Sequence, residues 1–194
     1  MAEGDSGNTL QIVLDGEVRV SVGATDGQEV VLAILGPGSP IGEMALLDSG
    51  PRSATITALT VTPTVVLSRT DFLDLLRDTP AISLRLLQVQ AQRLRAADAL
   101  VMDAWFLDVT ARVAKKLLEL AQTGGVPAER GRGIAIQIAQ EELASQIVST
   151  RASVSKSLGQ LQRAGTLAVR RYRITILQPA ALGTVAGRVT PWTW

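Results

Sequence analysis

The chain has 194 residues, 46% of them hydrophobic and 19% charged, which is enough for one large or two small domains and far from the composition of a disordered segment. It contains neither cysteine nor histidine, which excludes disulfides, thiolate-held iron–sulfur clusters, zinc knuckles, cysteine nucleophiles, serine–histidine triads and histidine-liganded haem. The net charge of +1 conceals a division: residues 1–109 carry 7 Arg against 14 Asp and Glu, a net −7, whereas residues 110–194 carry 12 Lys and Arg against 4 acids, a net +8.

Met1 to Ser6 is acidic and poor in apolar side chains, unlike a secretion leader, and no apolar run approaches the roughly 18 residues that span a bilayer. A soluble cytoplasmic protein without a membrane partner is expected. From Leu10 to about Ser68, short apolar runs are broken by glycine and proline. Leu10–Leu14, Val18–Val22, Val30–Leu35, Ala54–Leu59 and Val65–Leu67 read as strands, the spacing of a sandwich or barrel. A short helix over Thr70–Arg77 follows, with Thr70 as its expected cap.

Thr79-Pro80 then opens a helix that nothing interrupts before Trp105. Leu84, Leu87, Ala91, Leu94, Asp98, Val101 and Trp105 recur at alternating intervals of three and four, a heptad seam. Such a seam serves either packing within the chain or pairing of two copies. Phe106-Leu107-Asp108-Val109 breaks it, and Asp108 is placed to cap a helix running to about Ala121. The domain boundary is placed there: a sandwich over 1–79, a connecting helix and hinge over 80–108, and a second domain over 109–194.

In that second domain Thr123–Gly133 reads as a loop and Ile134–Ile138 as a strand. Gln140–Ile147 and Arg151–Ala164 read as two helices with a very short connection. Leu167–Val169 and Tyr172–Leu177 form a hairpin across Arg170 and Arg171. Two helices, a tight turn and a two-stranded wing describe a winged helix-turn-helix. Ala144 permits close approach of the helices, while Ile147, Val154, Leu158 and Leu161 supply buried contacts. Thr150 caps the second helix, whose Arg151, Ala152, Ser155 and Lys156 share the opposite, solvent face, with Ser153 in the same first turn. After Glu142 no acidic residue occurs, and seven cations remain. A face of this kind suits a major groove and a polyanion.

A second constellation is Gly42-Glu43-Met44-Ala45-Leu46-Leu47 followed by Pro51-Arg52-Ser53-Ala54. A glycine before one helical turn can offer bare amides to an anion, and an arginine ten residues on can close over it. This segment resembles the phosphate-binding cassette of cyclic-nucleotide-binding domains. The order of cassette, long helix, Phe106–Val109 hinge and winged helix is similar to that of the CRP/FNR family of bacterial transcription regulators, over about Leu10 to Leu182.

The resemblance implies an α+β architecture: a jelly-roll-like β-roll, a dimerisation helix and a winged helix-turn-helix. It implies a homodimeric, non-enzymatic regulator of palindromic double-stranded DNA, controlled by a cyclic nucleotide, with cAMP the expected effector, no metal, haem or cluster, and RNA polymerase a candidate partner. Glu43 would accept from the ribose 2′-hydroxyl. Arg52 and Ser53, with the amides at Gly42, Glu43 and the adjoining Met44, would bind the cyclic phosphate. Arg93 and Asp98 would face the base and the seam, and Thr150–Ser153, Ser155, Lys156, Arg170 and Arg171 would meet DNA. Two other readings remain open: a roll that binds no nucleotide, and a cyclic-nucleotide module acting on a protein partner.

The sequence departs from the family pattern in several places. The family's roll normally opens some two strands and a helix earlier than this sequence does, so a short roll is expected. Ala97 and Asp98 stand where cAMP-responsive members carry hydroxyls, and Ala152 replaces a glutamate that often follows the recognition arginine. Val148 replaces the glycine of the turn, where a β-branched residue at positive φ is strained, so a distorted turn is expected. Ala139 lacks a capping oxygen, a cost of about 1 kcal/mol. The tail Thr190–Trp194 carries two of the three tryptophans, and no function is read from it.

Overall fold

The computed structural model describes residues 1–23, 29–128 and 133–187. The tail Thr190–Trp194 and part of the predicted 123–133 loop lie outside the described residues. The chain divides into two compact units, Met1–Ala97 and Asp98–Trp194.

In the first unit the expected strands form at β1 (Thr9–Val13), β2 (Val18–Gly23), β3 (Glu29–Leu35), β5 (Thr55–Ala58) and β6 (Thr64–Ser68), joined by a two-residue β4 (Pro40–Ile41). They make two antiparallel three-stranded sheets, ordered β4-β1-β6 and β3-β2-β5. Leu10 and Val13 of β1, three residues apart and so on opposite faces of the strand, are both buried: Leu10 packs with Leu46 and Phe72, and Val13 with Val18 and Ile41. Leu46 comes from α1 (Met44–Leu47), the single helical turn of the cassette.

The next helix, α2, spans Arg69–Asp78, and its cap is Ser68 rather than the expected Thr70. Ser68 has the extended backbone a cap requires, and its Oγ accepts from the Asp71 amide at 3.2 Å; Thr70 already lies inside the helix. Pro80 opens α3 (Pro80–Phe106), 27 residues long, and none of its residues is buried. Leu84, Leu87, Leu94, Val101 and Trp105 of the predicted seam are all exposed, Trp105 at 82%. The helix runs across the division between the units and stops at Leu107 and Asp108, so Phe106 belongs to the helix and not to the break.

In the second unit Asp108 caps α4 (Val109–Gly124), its Oδ1 accepting from the Ala111 amide at 2.7 Å. The predicted wing pair is part of a larger sheet. β7 (Val126–Pro127), β8 (Ile134–Gln137), β9 (Leu167–Arg170) and β10 (Arg173–Ile176) form four strands ordered β7-β8-β10-β9. β7 went unread because its two residues sit among glycines that signal a loop. α5 (Gln140–Gln146) and α6 (Arg151–Arg163) pack with α4 and with α7 (Pro179–Val185), a closing helix that the hydrophobic pattern did not reveal. Val113, Leu117, Leu143, Val154, Leu158 and Leu182 are essentially inaccessible to solvent in this core.

Replacing Leu117, fully buried among α4, α5 and α6, with alanine is expected to destabilise the second unit by about 2–5 kcal/mol. Asp108→Ala removes only a cap and is expected to cost about 0.5–2 kcal/mol. Urea unfolding monitored by circular dichroism measures both.

Candidate functional site

The cassette is built by a close approach that only glycine permits. Gly42 follows β4 with φ +82, and a side chain there would lie 2.3 Å from Arg52 Nη1. Gly7 is equally tight on the same arginine, where a Cβ would come within 2.3 Å of Nε. Enclosed between the two glycines, Arg52 is only 7% exposed. Its Nη1 donates to the Gly42 carbonyl at 2.6 Å, and its Nη2 donates to the Thr9 carbonyl at 2.8 Å and more distantly to Thr9 Oγ1. No carboxylate pairs with it among the described residues. A buried guanidinium bonded only to neutral oxygens retains an uncompensated charge, which favours binding of an anion.

Beside it Glu43 is 2% exposed and is held from α3. Gln90 Nε2 and Arg93 Nη1 both donate to Glu43 Oε1, at 2.7 and 2.6 Å, while Arg93 Nη2 donates to the Pro40 carbonyl at 2.6 Å. Oε2 takes no hydrogen bond among the described residues, and neither do the amides of Gly42 and Glu43. Met44 and Ser53 lie exposed at the rim, Ser53 Oγ donating to Met44 Sδ at 3.4 Å. The first unit therefore brings together Gly42, Glu43, Met44, Arg52, Ser53 and Arg93. Asp98 belongs to the second unit, where it is exposed. Thr9, Gly7 and Gln90 were missed by sequence reasoning. Only Gln90 left a signal, lying three residues before Arg93 on one helix face.

In the second unit Thr150 Oγ1 accepts from the Ser153 amide at 3.2 Å, the expected cap of α6. Arg151, Ala152, Ser155 and Lys156 are exposed, while Val154, Ser157, Leu158 and Leu161 on the other face are buried. Arg170 and Arg171 are exposed at the β9–β10 turn, where Arg171 has φ +27. Ala139 makes no side-chain cap bond to α5, as expected. Val148 adopts φ +53, so the turn keeps a left-handed residue despite the missing glycine. No group of three or more potential ligand side chains could hold a metal among the described residues, and none of their helices is long and apolar enough to cross a membrane.

Residues 1–79 match the cyclic nucleotide-binding domain and residues 111–185 the Crp-like helix-turn-helix domain. The two matched domains define a transcription regulator with a cyclic nucleotide-binding domain and a Crp-like helix-turn-helix domain. The CRP-like cAMP-activated global transcriptional regulator of Mycobacterium tuberculosis is 35% identical over 90% of this chain and 78% of its own length. The cyclic AMP receptor protein of Thermus thermophilus is 36% identical over 95% and 82%. Among solved structures, the c-di-GMP-responsive global regulator CLP of Xanthomonas campestris superposes with a TM-score of 0.83 at 25% identity, covering 91% of this chain and 87% of its own. A CRP-family transcriptional regulator of Thermus thermophilus gives 0.77 at 30% identity over 96% and 91%. The chain belongs to the CRP/FNR family of transcription regulators.

Gly42→Ala forces a side chain onto both Arg52 and a left-handed backbone. It is expected to destabilise the first unit by about 1–3 kcal/mol, whereas Gly159→Ala, inside α6 with open space around it, is expected to stabilise slightly. Thermal denaturation of the two variants measures the difference.

Proposed function

We propose that the protein is a homodimeric, sequence-specific DNA-binding regulator of the cytoplasm, gated by a cyclic nucleotide whose phosphate is taken by Arg52, with cAMP as effector. The observation that carries this reading is the buried Arg52 guanidinium, held in place by carbonyls and lacking a counter-charge among the described residues. A cyclic phosphate supplies one negative charge and two free oxygens, which the arginine fork and the unbonded amides of Gly42 and Glu43 can receive. Oε2 of Glu43 is open to a ribose hydroxyl, Ser53 adds a donor at the rim, and Met44 packs beside it. The cAMP assignment draws on the relatives in Mycobacterium tuberculosis and Thermus thermophilus, whose names carry that nucleotide. Asp98 is assigned to the dimer seam.

Dimerisation is supported by α3, which exposes Leu84, Leu87, Leu94, Val101 and Trp105 and buries nothing of its own. Two copies pairing through this seam would shield these side chains from water and give a symmetric reader suited to a palindrome. Half-sites one helical turn apart require recognition helices about 34 Å apart. The gate is a ligand-dependent adjustment of the paired helices, with Gln90 and Arg93 linking Glu43 to α3. The solvent face of α6, with Arg151, Ala152, Ser155 and Lys156 and its Thr150–Ser153 cap, enters the major groove. Arg170 and Arg171 hold the phosphate backbone.

DNA binding by fluorescence anisotropy, with and without cAMP, tests the gate. The native protein is expected to gain affinity with cAMP and Arg52→Ala to lose that response while keeping its basal affinity. Binding that ignores cAMP in the native protein would favour a roll without a ligand, and no salt-dependent DNA binding at all would favour a protein partner. Arg151→Ala is expected to cost roughly 1–3 kcal/mol and relax preference at one base, whereas Arg171→Ala weakens all sequences alike and lowers the salt slope by about one.

A further inference from the structure

The turn between α5 and α6 carries a conformation that its sequence disfavours. Val148 sits at φ +53, a region from which β-branched side chains are sterically driven. The valine is 40% exposed, so burial of its side chain does not hold it there. The hydrogen bonds to its own carbonyl and the preceding one come from outside the turn: Arg112 of α4 donates from Nη1 to the Ile147 carbonyl at 2.8 Å and to the Val148 carbonyl at 3.1 Å. Arg112 Nε is buried without a hydrogen-bond partner among the described residues, an arrangement unfavourable for a guanidinium unless the contacts made by its other end compensate. Within the turn, the Ser149 amide donates to the Ala144 carbonyl at 3.0 Å, and two residues later α6 begins.

We propose that Arg112 is a positioning residue for DNA recognition: its grip on the Ile147 and Val148 carbonyls keeps the strained Val148 turn closed and thereby fixes where α6 presents Arg151 and Lys156. This rests on the proposed DNA-binding role of α6. Arg112 replaces, through a bond from a neighbouring helix, the conformational freedom that a glycine at 148 would provide. The two positions must therefore be coupled: once residue 148 tolerates positive φ, the clamp matters less.

A double-mutant cycle on the full chain tests this, with Arg112→Met retaining the apolar stem and removing the donors. Arg112→Met is expected to weaken DNA binding about tenfold, within the coupling seen between contacting residues, and Val148→Gly in that background to restore most of it. Val148→Gly alone should leave binding within about twofold, since glycine adopts this φ freely. Equal losses in Arg112→Met with and without Val148→Gly would overturn the proposal and mark Arg112 as a phosphate contact or a general structural residue. Amide exchange at Ser149 is the second readout, and it needs no DNA. Exchange should quicken in Arg112→Met and slow again in the double variant, and an unchanged rate would overturn the clamp. Should the native chain bind no DNA, the proposed function fails while the exchange measurement still decides the clamp.

Discussion

The first unit depends on one buried charge. Arg52 is enclosed by backbone because two glycines, Gly7 and Gly42, leave no side chains where its guanidinium passes. Carbonyl groups orient it without neutralising it, so the cost of burying a cation is only partly offset within the fold. That residual cost favours any anion that can reach the fork. Glu43, buried nine residues earlier in the chain, is by contrast paired: Arg93 and the neutral donor of Gln90 share its Oε1, which leaves Oε2 open. The two side chains thus give the cassette a positive end and a neutralised acceptor end, the polarity that a phosphorylated sugar presents in reverse.

The second unit depends on a different economy, in which α6 is buried along one face and bare along the other. Leu158, Leu161 and Val154 join α4 and α7 in the core, and Thr110 Oγ1 lies 3.1 Å from both Gln160 Oε1, to which it can donate, and Ser157 Oγ, from which it can accept, fixing the helix laterally. Lys115 pairs with Asp103 at 2.6 Å, which ties the last turns of α3 to α4 across the Leu107–Asp108 break. The break is consequently a braced corner in this unit, with Asp108 capping on one side and the ion pair spanning it. Acidic residues are absent beyond Glu142, so the exposed face of α6 and the wing turn carry only positive charge.

Much of this was legible from residue type and spacing alone. Short apolar runs broken by glycine and proline marked β1, β2 and β3, and a Thr-capped amphipathic run with one buried face marked α6. What escaped was decided by tertiary contact. Ser68 caps α2 in place of Thr70 since the chain leaves β6 already extended at that residue. β7 is two residues long and exists only because β8 offers it an edge. The cassette glycine and arginine could be paired from their spacing, but that Gly7, forty-five residues from Arg52, closes the other side could not. The left-handed Val148 was foreseen as a conflict, whereas the arginine that resolves it lies on another helix, thirty-six residues away.

The account turns on an anion being captured at the buried guanidinium of Arg52, and thermal unfolding of the native protein with cAMP tests it most directly. A ligand held at 100 times its dissociation constant should stabilise the protein by about 2.7 kcal/mol and raise the unfolding midpoint accordingly. A midpoint that does not move at millimolar cAMP, cGMP or inorganic phosphate would contradict it.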